Sequence, residues 1–184
     1  SGRHDRVDTG DGNDQITVTV ASYPGSLDSV SGGGGTDILT VDIGNTGNVY
    51  WGGKDVAGDV VSGVNGLSSL QTIKTFLSSA TGQMTLNAGN PLVGVVFDGI
   101  EHLNLVAGSN DDLLFAMGTG VSYDGKGDTD TFYADWRAAS TDITWNNDPT
   151  KTVTVNGVTI SAMERLLLQT GSGNDTISNI YAGN

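Results

Sequence analysis

Short runs of alternating polar and apolar residues, each led by a glycine-rich turn, recur along this chain. In residues 1–20, Val7 and Ile16 lie nine apart, as do Asp5 and Asp14, so two successive nine-residue units are expected. Thr17–Val18–Thr19–Val20 continues the second as a β-branched strand. Ile38–Leu39–Thr40–Val41–Asp42–Ile43 and Thr131–Phe132–Tyr133–Ala134–Asp135 also read as strands. Each follows an aspartate in the pattern D-x-U-x-x-D, with U a large apolar residue. One stretch has a helical period instead. Leu67, Leu70, Ile73 and Leu77 fit a short helix starting near Asn65 or Gly66, and Met84–Thr85–Leu86 beyond it looks like a strand.

The strongest internal repeat joins two distant stretches. Residues 94–112 and 157–175 align at a constant offset of 63 without a gap, and eight of the 19 positions are identical. Tandem copies of one supersecondary unit, each unable to bury its own apolar edge, are the mark of a solenoid. The expected fold is therefore all-β, a parallel β-roll or β-helix solenoid with long non-repeat excursions. It parses as one continuous domain: 1–20 ends a preceding unit, 21–118 is a first extended unit and 119–184 a second.

The turns share a phrase. Thr170–Gly171–Ser172–Gly173–Asn174–Asp175–Thr176–Ile177 is matched by Thr9–Gly10–Asp11–Gly12–Asn13–Asp14–Gln15–Ile16 and by the run Gly32 to Leu39. Looser copies span 107–114 and 125–132. Glycine reaches φ > 0 and lets carbonyls crowd inward. Aspartate offers hard oxygens of the kind Ca²⁺ prefers. Composition sharpens this picture. The 28 glycines in 184 residues far exceed the average usage of about 7%. Net charge is −13, and of 21 acidic residues only Glu101 and Glu164 are glutamate. Compact turns and calcium loops favour aspartate, whereas a merely solvated acidic surface would mix both types.

These segments resemble the RTX (haemolysin-type) calcium-binding nonapeptide, G-G-x-G-x-D-x-U-x. The resemblance implies a parallel β-roll, Ca²⁺ as the bound ion, type I secretion, and an extracellular or cell-surface location in a bacterial protein. Asn110 and Asp128 stand where the family's pattern has glycine. The chain opens inside a repeat and is expected to be a segment of a longer exported protein, with neighbouring repeats of that parent as partners.

The metal-ligand candidates are Asp14, Asp37, Asp112, Asp130 and Asp175, with Asp5 as a weaker one because its turn lacks glycines. Asn13, Asp128, Asp11, Asp111 and Asn174 could add oxygens, and Gly10, Gly12, Gly33, Gly35, Gly171 and Gly173 could add carbonyls. The bland alternative is that each aspartate closes its own turn. Asp112 and Asp130 lie 18 apart, two nonapeptides, and are expected to stack on one edge and share an ion.

Other classes lose ground. There is no cysteine, no H-E-x-x-H, no G-x-S-x-G and no Walker loop. Glu101 and Glu164 recur with the repeat, which suits a structural role better than acid–base chemistry, and no enzyme is expected. The charge opposes nucleic acid, and no apolar run is long enough to span a membrane. Trp51, Trp136, Trp145, Tyr50, Tyr123 and Tyr133 raise the alternatives of an accessory module for extracellular polysaccharide or, failing that, a core of capping aromatics. A spacer segment of an adhesin or surface-layer protein is a further alternative.

Overall fold

The computed structural model describes residues 5–19, 27–42, 49–54, 57–62, 93–109, 111–116 and 120–180. The expected helix at 67–77, the strand at 84–86 and Asn110 lie outside the described residues. Within them the fold is all-β, in mostly parallel sheets, with no helix.

Strands step back and forth between two sheets. The first pair is β1 (Arg6–Asp8) and β2 (Gln15–Thr19), then β3 (Leu27–Ser31) and β4 (Ile38–Asp42). A hairpin, β5 (Val49–Lys54) and β6 (Ala57–Ser62), is followed by β7 (Val93–Asp98), β8 (His102–Val106), β9 (Leu113–Phe115), β10 (Val121–Asp124) and β11 (Thr131–Asp135). The last part holds β12 (Thr144–Asn147), β13 (Val153–Val155), β14 (Val158–Ser161), β15 (Arg165–Gln169) and β16 (Thr176–Asn179). The larger sheet runs β1-β3-β7-β6-β5-β9-β11-β15, the second β13-β14-β10-β8-β4-β2, and β12 pairs β16 separately. All pairings are parallel except β5–β6, β6–β7 and β13–β14.

Parallel register stacks like on like. Ile16, Leu39, Leu103, Val121 and Val158 form one column across the second sheet, through successive partners. Alternation drives this: in β4, Leu39 and Val41 are buried while their neighbours are only partly so. The two sheets face each other across the column, as Tyr123 of β10 and Phe132 of β11 show, with ring centroids 6.0 Å apart. Phe132 also meets Trp136 and, edge-on, Trp145. These aromatics line the core: Trp136 is 8% exposed, Trp145 2% and Tyr123 1%. Of the expected sugar-facing aromatics, then, these three are interior residues.

The 63-residue repeat takes an unforeseen form. β7 lies in the larger sheet and β8 in the second, whereas their copies β14 and β15 lie in the second and the larger respectively. The two copies therefore turn at opposite edges of the molecule.

Candidate metal centre

Turn length sets the geometry at both edges. The turns ending at Asp14, Asp37, Asp112, Asp130 and Asp175 each hold six residues between strands, and those ending at Glu101 and Glu164 hold three. Register makes the last turn residues equivalent. Gln15 pairs Ile38, which pairs His102, so Asp14, Asp37 and Glu101 share one position. At the opposite edge Leu113 pairs Thr131, which pairs Arg165, so Asp112, Asp130 and Glu164 share another.

Each set forms a ladder. The N–H of Asp14 donates to Asp37 Oδ1 at 2.8 Å, and the N–H of Asp37 donates to Glu101 Oε2 at 2.8 Å. In the second ladder the N–H of Asp112 donates to Asp130 Oδ1 and that of Asp130 to Glu164 Oε2, both at 2.8 Å. Asp112 and Asp130 thus stack on one edge, as their spacing implies. The two glutamates are rungs that sequence reasoning left in a generic structural role. Their signal was position: each immediately precedes a strand, as Asp37 does, and the longer side chain serves where the turn is three residues shorter.

A second set of bonds runs the other way. Asn13 Oδ1 accepts from the N–H of Thr36 (2.9 Å), Asp111 Oδ1 from Thr129 (3.1 Å) and Asp142 Oδ1 from Asn174 (2.7 Å). Beside the last, the N–H of Ile143 donates to Asp175 Oδ1 at 2.9 Å. Each of these stacked pairs of turns, two of them six residues on six and the third eight on six, is thereby closed by a reciprocal clasp. The earlier coil gives a side-chain acceptor and a backbone N–H; the later coil gives the complementary two. Asp175 therefore stacks on Ile143 rather than on another carboxylate. Asp5 is exposed, and its N–H donates to Asp28 Oδ1 at 3.0 Å.

Glycine is demanded by coil stacking. A Cβ on Gly33 would lie 2.0 Å from the Gly10 carbonyl oxygen, and one on Gly35 1.8 Å from that of Gly12. A Cβ on Gly171 would lie 1.8 Å from the Ala139 carbonyl oxygen, and one on Gly173 2.6 Å from that of Thr141. The Gly10 carbonyl also accepts from the N–H of Gly34, and Gly12 donates to the Gly34 carbonyl. Asp128, exposed, and Lys126 instead hold left-handed conformations at φ 70.

Three of the carboxylates are only half used, whereas Asp112 Oδ2 accepts from the N–H of Gly108 at 3.2 Å. Oδ2 of Asp14, Asp37 and Asp130 is buried with no hydrogen-bond partner. Asp37 and Asp130 are wholly buried and Asp112 nearly so. Burying such an oxygen unpaired is costly unless a cation or a proton meets it. Burial pushes the Asp130 carboxyl up to about 9; the Asp112 N–H draws it down, while the charges of Asp112, Glu164 and Asp111 push it further up.

The donors available are hard oxygens, carboxylate and carbonyl, with no thiolate and no imidazole in either ladder. That set fits Ca²⁺. No group of three or more metal-ligating side chains gathers among the described residues. Backbone carbonyls would therefore have to supply most of a calcium shell of six to eight oxygens. No protein-family model, curated protein or solved structure matches the chain.

Proposed function

We propose that this chain is a calcium-binding, calcium-stabilised structural module, a parallel β-roll solenoid from a larger secreted or cell-surface bacterial protein, and not an enzyme. What supports the reading above all is the set of unpartnered, buried Oδ2 atoms on Asp14, Asp37 and Asp130, placed at turns where stacked glycines bring carbonyls close. The resemblance of those turns to RTX nonapeptides supports it independently.

Asp14, Asp37, Asp112 and Asp130 would hold the ions, with carbonyls of Gly10, Gly12, Gly33 and Gly35 completing the shell at the first edge. Bound calcium would supply the positive charge that stacked carboxylates lack. The chain's own groups do the rest: the ladder N–H donors orient each carboxylate, and the reciprocal clasps hold adjacent turns in register. Binding free energy then becomes folding free energy. In a compartment poor in calcium the acidic turns repel and the chain stays open for export. Recognition of extracellular polysaccharide is less well supported, because Trp136, Trp145 and Tyr123 fill the core.

Circular dichroism tests the proposal. Added Ca²⁺ is expected to produce a large gain of β signal, and chelator to reverse it. A spectrum indifferent to both would refute calcium stabilisation.

A further inference from the structure

The 63-residue repeat builds one local arrangement twice, at opposite edges of the molecule. Its three-residue turns are Gly99–Ile100–Glu101, between β7 and β8, and Ala162–Met163–Glu164, between β14 and β15. The first stacks on the six-residue turn that ends at Asp37, the second on the one that ends at Asp130. The Asp37 carbonyl accepts from the N–H groups of Glu101 (3.2 Å) and His102 (3.0 Å). The Asp130 carbonyl accepts from those of Glu164 (3.1 Å) and Arg165 (2.9 Å). Each aspartate in turn donates its own N–H to the glutamate Oε2. Ile100 and Met163 anchor the two turns by packing with the core.

What these bonds leave over also repeats. Asp37 and Asp130 are wholly buried, and Oδ2 of each meets no donor. Asp112, whose turn is followed by a six-residue turn instead, has its Oδ2 bonded by the N–H of Gly108. A backbone oxygen lies close to each orphan. A Cβ on Gly32 would stand 2.0 Å from the Gly99 carbonyl oxygen and 2.8 Å from Asp37 Oδ2. One on Gly125 would stand 2.2 Å from the Ala162 carbonyl oxygen and 2.4 Å from Asp130 Oδ2. At each junction, then, two acceptors converge on the bare face of a glycine. Burying acceptors against each other is costly unless something positive joins them. Left-handed backbone sets the carbonyl there: Gly99 has φ 58 and Ala162 φ 51. Alanine seldom adopts that conformation, and strain of this kind gathers at ligand clamps. Oε2 of each glutamate serves the ladder, which leaves Oε1 for another partner.

We propose that each junction is one cation site. Asp37 Oδ2, Glu101 Oε1 and the Gly99 carbonyl take one Ca²⁺; Asp130 Oδ2, Glu164 Oε1 and the Ala162 carbonyl take a second. Glu101 is exposed and Glu164 partly so, and water from that side completes a shell of six to eight oxygens. The inference rests on the calcium reading above and adds ligands to it. Neither glutamate belongs to a nonapeptide phrase, and the pair of sites is separate from any ion held by Asp14 and the glycine carbonyls.

Equilibrium dialysis against a series of ⁴⁵Ca concentrations tests it. Glu101→Gln and Glu164→Gln keep an oxygen for the ladder N–H and remove the charge that holds the ion. Each variant is checked by circular dichroism in excess calcium. Each is expected to shift one ion per chain to at least tenfold higher calcium, and the double variant two. Asp8→Asn, which removes one exposed charge outside both ladders, is expected to bind as the unaltered chain does. Calcium bound as tightly by the double variant as by the unaltered chain would overturn the junction sites and leave calcium stabilisation standing. So would an equal loss in Asp8→Asn. No calcium bound by the unaltered chain would end both readings. Crystals of the unaltered chain in calcium give the answer without substitution. Each glutamate should then stand about 2.3–2.6 Å from an ion, and ions that touch neither glutamate would overturn the assignment.

Discussion

Replacing Gly35 with alanine is expected to lower stability by about 3 kcal/mol or more, measured as a shift in the urea midpoint. Two costs combine. The backbone at Gly35 has φ 136, a region that L side chains rarely adopt. The new Cβ would also lie 1.8 Å from the Gly12 oxygen and 2.7 Å from its carbon. Those are backbone atoms of the adjacent coil, so relief requires separating the coils. Gly34→Ala is the internal control: its Cβ would come only to 3.1 Å from a flexible carboxylate, Asp11 Oδ1, at an ordinary φ. It should cost within about 1 kcal/mol. Equal losses at both positions would show that the turns do not stack as described.

Asp130→Asn should act in opposite directions with and without calcium. In the folded, metal-free chain the Asp130 carboxyl is pushed up to about 9 from an ordinary 3.8, chiefly by burial. The folded state then holds a proton that the unfolded state releases. Its contribution is fully present below pH 3.8 and is lost as pH rises toward 9. At most this amounts to roughly 1.4 kcal/mol per pH unit within that window. In chelator at pH 7, Asp130→Asn should therefore stabilise the chain, by something on the order of 2 kcal/mol, and flatten its pH dependence. In calcium the same variant should lose stabilisation, because a ligand carboxylate has gone. Residual β signal in chelator and thermal unfolding in calcium, each followed from pH 5 to 8, decide it. Destabilisation of equal size in both would mean that the carboxylate serves the ladder alone.

The sequence made the aspartate ladder legible for a physical reason: side-chain position in a parallel stack repeats with the coil. Asp112 and Asp130, two nonapeptides apart, therefore fall on one edge. Strands after Asp37 and Asp130 were equally readable from alternation. Glu101 and Glu164 were not, because their three-residue turns drop the glycines that mark the motif. The phase of the 63-residue repeat was also hidden. Sequence identity records equivalent local structure, and which of two sheets a strand joins depends on how many half-coils intervene. The antiparallel β5–β6 hairpin carries no nonapeptide, yet it inserts between β7 and β9 in the larger sheet. Tryptophan positions gave no direction, since an aromatic side chain suits a core and a sugar platform alike.

Crystals grown in millimolar calcium, with data collected for the anomalous signal of the ion, would test the role of calcium most directly. Anomalous peaks are expected beside Oδ2 of Asp14, Asp37 and Asp130, between stacked turns. Ladders at full order with no peak, their coils joined by hydrogen bonds and apolar columns alone, would contradict it.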